Sequence, residues 1–273
     1  MRVKDILITL WAIVSGVLLF IVIGFLIGYI FIKGYEVINF QFIFDTPKGD
    51  ILGQEGGIAP AIIGSFLSTG IATIISGVLA IGTATYTNFY EKRVKIVESI
   101  NFVIKCIGGI PSIVLGLFGY TMFTYYLGLG RSVIAGSLTL AIMIFPVIEL
   151  RVDKLFKEVD KNIVYSSYSL GVSKSYTILK VVLSLCKDGI LSVLSLGYAY
   201  AIGATAPIMF CMAVINSPIS LDITKPTMTL SYHLYILITQ GISEKMAYGT
   251  AFILLLLIVI VILFSKFITR RKG

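Results

Sequence analysis

The chain has 273 residues, of which 57% are hydrophobic and 13% charged, against roughly 25% charged in soluble domains. A single water-soluble core of this length has no room for so much apolar surface, whereas a bilayer can act as its solvent. The formal net charge of +8 sits in short segments between long uncharged runs. Anionic lipid and the positive-inside rule account for that distribution without any polynucleotide.

Met1-Arg2-Val3-Lys4 precedes an uncharged run over residues 6–32. A cleavable signal peptide has an apolar core of only about 7–15 residues, so this longer run, with no A-x-A site after it, reads as an anchor that stays. Crossing the hydrocarbon takes about 20 apolar residues. On that measure further spans are expected within 58–90, around 99–127, around 132–148, within 189–221 and around 246–266. Gly108-Gly109-Ile110-Pro111 should start or bend a helix. The expected fold is all-α, a polytopic membrane protein of about six transmembrane helices.

Most of the 22 basic residues fall on one side of this topology. Arg2, Lys4, Lys92, Arg93, Lys95, the loop 151–187 and the tail Lys266, Arg270, Arg271, Lys272 share that side. Lys33, Lys48, Arg131, Lys225 and Lys245 occupy the other, and Lys105 lies inside a span. Both termini are therefore expected in the cytoplasm. The first outer loop, 33–55, carries Glu36, Asp45, Asp50 and Glu55 against two lysines.

Within the cytoplasmic segment 151–187, Val159, Ile163, Val164, Tyr168 and Leu170 recur at roughly helical spacing. Gly171 then interrupts, and Ser173-Lys174-Ser175 can cap a second helix over 176–185. A helix-Gly-helix element of this kind either docks a soluble partner or lies as an amphipathic loop on lipid. Glu149, Arg151 and Asp153 read as a solvated interfacial cluster rather than a proton relay, and Lys105 as a side chain snorkelling from its span.

Catalytic and metal chemistry find little material. Cys106, Cys186 and Cys211 stand apart with no CxxC pair, and His233 is the only histidine. The spans offer no carboxylate pair, no His cluster and no serine with a base at a credible spacing. No Gly-Lys-Ser/Thr motif exists, so the chain has no Walker-type nucleotide site and no cofactor of its own is expected.

Four blocks carry a family resemblance. Gly56-Gly57-Ile58-Ala59-Pro60-Ala61-Ile62-Ile63-Gly64 opens the second span, and Gly109-Ile110-Pro111-Ser112 through Gly119 lies in the third. Ala135-Gly136-Ser137-Leu138-Thr139-Leu140, followed by Phe145-Pro146-Val147-Ile148, forms the fourth span, and Gly203-Ala204-Thr205-Ala206-Pro207 marks the fifth. In this order they resemble the membrane subunits of phosphate ABC importers, the nearer match being the permease with the Gly-x-Thr-Ala-Pro segment. The resemblance covers the chain from about Gly56 to the last span.

It implies the type I ABC importer permease fold in a single domain over 1–273. An anchor span over 6–32 would precede a permease core of about 56–268, with a cytoplasmic coupling segment at 151–187. Implied partners are a second permease, two ATPase subunits that use ATP, an extracytoplasmic substrate-binding protein and membrane lipid, with no nucleic acid. The implied location is a prokaryotic plasma membrane, and outer loops 33–55 and 216–245 would meet the binding protein.

In that family the cytoplasmic loop carries Glu-Ala-Ala, followed four residues later by Gly, which seats in the ATPase. The matching residues here are Tyr165-Ser166-Ser167-Tyr168-Ser169-Leu170-Gly171. The resemblance assigns ATPase coupling to Tyr165, Ser166, Ser167, Leu170, Gly171 and Lys174. The family's fifth span reads Arg-x-x-Gly-Glu-Thr-Ala-Pro, but Tyr200 stands here for the arginine and Ala204 for the glutamate. Both charges are gone together, as expected of a paired site, since one buried charge left alone costs several kcal/mol.

Either a partner permease then supplies the anion-binding charge, or the cargo is another oxyanion, or the role has changed. Ser195, Tyr198, Tyr200 and Thr205 are the polar groups left near the site. They either hydrogen-bond a desolvated anion or serve as helix-packing hydroxyls. The sequence therefore reads as a non-enzymatic permease moving substrate by alternating access. A non-conducting structural or sensory subunit is the alternative, and a secondary transporter or channel ranks third because it would keep ionisable residues within its spans.

Overall fold

The computed structural model describes residues 3–48, 55–216 and 218–270. Asp50 of the first outer loop, and Arg2, Arg271 and Lys272 of the basic termini, lie outside the described residues.

α1 (Val3–Gly34) is exposed along nearly its whole length, as a helix solvated by lipid should be. It meets the rest of the chain at its end. There Tyr29 packs edge-on to Tyr248, and Phe31 lies 5.0 Å from Phe252. The short α2 (Phe40–Phe44) follows, capped by the Asn39 side chain, which accepts from Phe42 N at 2.8 Å. A two-stranded antiparallel ribbon of β1 (Pro47–Lys48) and β2 (Glu55–Gly56) sets Pro47 opposite Gly56.

α3 (Ala59–Thr85) starts with Pro60 in its first turn, where the missing N–H costs nothing, and runs on through a wide π turn to Tyr90. α4 (Val94–Gly108) and α5 (Ser112–Gly119) meet at 97° across Gly109-Ile110-Pro111. The third expected span is thus not one straight helix. Proline lacks a backbone donor and restricts the residue before it, so the chain turns where the sequence put Gly-Gly-Ile-Pro.

α6 (Val133–Lys157) is capped by Ser132, which accepts from Ala135 N. It extends beyond the expected end at 148 and carries its charged residues on the same helix. α7 (Lys161–Ser169) and α8 (Lys174–Tyr176) form the helix-Gly-helix element. Through another π turn α8 continues into α9 (Leu183–Ile202). α10 (Ala206–Cys211), α11 (Leu230–Thr239) and α12 (Glu244–Arg270) complete the order.

Two expectations change here. The fifth span breaks at Gly203-Ala204-Thr205, because the helix ends on Ile202 and restarts only briefly before irregular chain. The outer segment 216–245 is not all loop, since it holds α11 with Leu230, Ser231, His233, Ile236 and Leu237 buried. Leu7–Val37, Ala59–Tyr90, Val133–Lys157 and Glu244–Ile268 are each long and apolar enough to cross a membrane, and the bent α4–α5 pair adds a fifth when counted as one span. α9 starts with Lys187 and Asp188 in its first turns, which shortens its apolar length. With it the bundle reaches the expected count of about six.

The core is a parallel pair, α3 against α6. At one end Asn88 donates to Asp153 at 2.7 Å, and the Phe89 and Phe156 rings lie 5.7 Å apart. At the other end both helix starts are pinned to the segment before α11. Val133 N donates to Lys225 O, and Gly64 abuts Met228, whose carbonyl oxygen would lie 2.1 Å from any added Cβ. Ala61, Ser65, Ser68, Ala72, Ser76, Ala80 and Ala84 form a buried small-residue stripe on α3 at spacings of three and four. Such a stripe lets helix backbones approach closely in a membrane. Leu140, Ile144, Ile148 and Val152 of α6 belong to the same buried cluster, and α9 joins it with Gly197 against Ile148.

Candidate functional site

Two regions hold the residues singled out from sequence. The first is the broken stretch between α9 and α10. Ser195 bonds within its own helix, its hydroxyl donating to Leu191 O at 2.9 Å. Tyr198 is half-buried, with its ring 6.2 Å from Phe66 and its hydroxyl buried without a partner. Tyr200 is 52% exposed, because two residues of helix turn it about 200° from Tyr198. Thr205 precedes α10 at the helix start, and its side chain makes no capping bond. The fold therefore gathers Tyr198 toward α3 and leaves Tyr200 facing outward. The four hydroxyls do not converge on one point.

Other polar groups lie at the break instead. Ser231 Oγ donates to Ala204 O at 2.9 Å, and Ser65 Oγ accepts from Leu230 N at 2.8 Å. Thr229, capping α11, contacts Ser231 at 3.4 Å. These buried hydroxyls tie α3, α11 and the broken helix together. The i, i+3, i+4 spacing of small residues on α3 was the signal that marks Ser65. Ser231 had one too, since Leu230–Thr239 is an apolar run preceded by Thr229 as a cap, a helix signal that the reading of 216–245 as an outer loop passed over.

The second region is the helix-Gly-helix element. Asp160 caps α7 by accepting from Asn162 N at 2.8 Å. Gly171 has φ +73°, and its N–H returns to Tyr168 O at 2.9 Å, so the helix closes in the left-handed conformation that glycine adopts without strain. Ser173 then caps α8 through Tyr176 N. Val164 is buried and Tyr168 packs on the core, whereas Tyr165 is 62% and Leu170 81% exposed. Ser166 is exposed, and Ser167 is half-buried with its hydroxyl on Ile163 O. Lys174 lies over the Tyr90 ring, 4.6 Å from its centroid. Ile163 and Leu170, expected among the apolar set of this helix, face outward.

Between this element and the bundle lies a cleft of about 970 Å³, lined by Lys92, Lys157, Lys161 and Lys174 with Asn88, Phe89, Phe156, Tyr165 and Tyr168. At its edge Arg93 grips Glu91 with two side-chain bonds of 3.0 Å. That guanidinium, aided by the Arg93 N–H and the Tyr86 hydroxyl, holds the Glu91 carboxyl at about 2. On the opposite end Asp45 is held below its ordinary value chiefly by Lys48, and Asp222 chiefly by the Thr224 hydroxyl.

One expectation is overturned. Glu149 does not belong to a solvated cluster: it is 0% exposed, and Asp153 only 7%. Arg151 lies on the exposed side of α6, because helical geometry sends residues two apart to opposite faces. Lys105 is exposed in the last turn of α4. His233 is buried and shares its Nδ1 with the Thr250 hydroxyl at 3.0 Å. Among the described residues no group of three or more His, Cys, Asp or Glu is placed to hold a metal ion.

Comparison with known proteins adds four findings. The family model described as binding-protein-dependent transport system inner membrane component matches residues 76–273. The probable ABC transporter permease protein YqgI of Bacillus subtilis is 28% identical over 261 residues, covering 90% of this chain and 88% of its own. The phosphate transport system permease protein PstA of Pasteurella multocida is 26% identical over 247 residues, covering 88% and 85%. In three dimensions the chain matches a bacterial alginate ABC transporter, crystallised with an alginate pentasaccharide-bound periplasmic protein. The TM-score is 0.68 at 13% identity, over 100% of this chain and 98% of that one.

Proposed function

Because the chain belongs to the family of binding-protein-dependent transport system inner membrane components, we propose that it is the conducting permease subunit of an importer for phosphate or a related oxyanion. It is a multi-pass membrane protein of the type I ABC importer permease fold, and a transport component rather than a member of an enzyme class. In the proposed reading the whole chain is one permease domain, with α1 as an anchor beside the core. Both termini lie in the cytoplasm of a prokaryotic cell, since the basic residues gather at the end that carries α7 and α8.

The observation that carries the reading is the helix-Gly-helix element. α7 presents Tyr165 and Leu170 outward while Val164 and Tyr168 hold it to the bundle. A short rigid helix, anchored on one face and bare on the other, suits transmission of motion from a separate ATPase subunit. Two such ATPases use the ATP, and a second permease completes the path. An extracytoplasmic binding protein delivers substrate to the opposite end. The spans then alternate between outward and inward access, with the break between α9 and α10 lining the path. There the unpartnered Tyr198 hydroxyl and Thr205 offer neutral donors for a desolvated oxyanion, while Ser195 and Ser231, whose protons go to Leu191 O and Ala204 O, hold the backbone beside the break, and Tyr200 faces the partner permease.

ATP-dependent uptake of labelled phosphate into vesicles containing the co-purified complex tests this. Saturable uptake, competed by molybdate, tungstate or sulfate, is the expected result. Transport of a different anion changes the cargo and keeps the importer. A second reading, a non-conducting sensory or structural subunit, is favoured by the uncharged Tyr200 and Ala204. Uptake that persists after loss of this subunit would establish that reading.

A further inference from the structure

Glu149 is the most anomalous side chain in the bundle. It sits on α6 in the closely packed region, and neither of its carboxyl oxygens has a hydrogen-bond partner. A bare carboxylate there would cost several kcal/mol, because nothing replaces the lost water. We propose that Glu149 is a proton-binding site, which holds a proton while the seam between α3 and α6 is closed and releases it to water in the basic cleft when the seam parts.

The surroundings leave no other charge to neutralise it. On its own helix Asp153 follows one turn later and Lys157 two turns later, while Arg151 and Lys154 are exposed. Asp153 carries the same sign as a Glu149 carboxylate, and Lys157 is committed to Asp153 Oδ2 at 2.6 Å. α3 brings no titratable side chain over Ala59–Thr85; beyond it Asn88 donates to Asp153, Tyr86 turns to Glu91, and Tyr90 is exposed. On α4, Lys95, Glu98, Lys105 and Cys106 are all exposed, and α5 has no titratable group. The turn after α5 exposes Tyr120, Tyr125 and Tyr126. On α9, Lys187 is exposed and Asp188 half-buried, Cys186 faces Leu155 O, Tyr198 lies against Phe66, and Tyr200 points outward. α10 contributes Cys211, engaged with Thr139 and Gly116 O.

An exit is built in. The two groups that bond Asp153, Asn88 and Lys157, line the cleft. When the helices part at this end, water reaches Glu149 past Asp153. The carboxyl O–H bond breaks, the proton passes to that water, and the carboxylate is hydrated in place. The binding site stands apart from the cargo question, because the proton is read directly.

Infrared spectra of the purified complex in lipid vesicles near neutral pH test the site. The wild type should show the carbonyl stretch of a protonated carboxyl, shifted by 13C-glutamate labelling and lost in Glu149→Gln. A wild type without a glutamate-sensitive band of this kind overturns the proposal, whether or not the variant folds. So does a band abolished by Na+ but not by choline, which would assign the site to a metal cation. ATP hydrolysis by the complex tests release: its pH profile should flatten in Glu149→Gln, and an identical profile in both proteins overturns the release step.

Discussion

Single residues decide how closely this bundle closes. Gly64 is the clearest case, since a Cβ there would lie 2.1 Å from Met228 O, a backbone atom with no flexible end to give way. Gly64→Ala should therefore force apart α3 and the segment leading to α11, at a cost of about 1–3 kcal/mol for overpacking. Thermal unfolding of the purified variant in detergent should show a lower midpoint than wild type; an unchanged midpoint would mean that the contact yields freely. Glycine here answers a different need from Gly171, whose φ of +73° ends a helix in open space. Glu149 shows the converse, a residue whose type suggests water and whose position denies it.

Among the elements, α7 tests the division between an anchored face and a bare one. Leu170 and Tyr165 contribute little to the core, so Leu170→Asp combined with Tyr165→Asp should leave the fold and thermal midpoint nearly unchanged. The same pair should remove most of the ATPase subunit that co-purifies, by tenfold or more, because a central apolar contact is replaced by buried charge. Retention of the ATPase at wild-type levels would exclude α7 as its seat. Val164→Asp makes the contrast, since it places charge in the core and should destabilise the permease itself. The helix-Gly-helix element was legible in sequence because caps and a terminating glycine are local signals. Which of its apolar residues face inward was not, and Ile163 and Leu170 turn out exposed.

Taken whole, the molecule is one tight seam with looser parts around it. α3 and α6 bury their small and branched side chains against each other, whereas residues 218–226 include many exposed positions without regular structure. Amide hydrogen exchange in lipid vesicles should be slowest over residues 72–84 and 140–152 and faster over 218–226. Rapid exchange along the seam would contradict the packing described here. The approximate location of four spans followed from apolar length alone, whereas the expected third and fifth spans are bent or broken. The 97° bend also had its mark in Gly-Gly-Ile-Pro, though only the tertiary structure sets its angle.

By itself the sequence determined the solvent of this protein, its approximate number of spans, the end where its positive charge collects and the family it resembles. Those properties depend on composition, on run length and on short motifs, all of which are local along the chain. Tertiary structure decided the rest. It broke the fifth span, found α11 within a supposed loop, separated Tyr200 from Tyr198, and brought Ser231 from a distant segment to Ala204. It also enclosed Glu149. Burial is a property of which helices meet and at what register, and charge next to a span end reads the same in sequence whether water or another helix lies beside it.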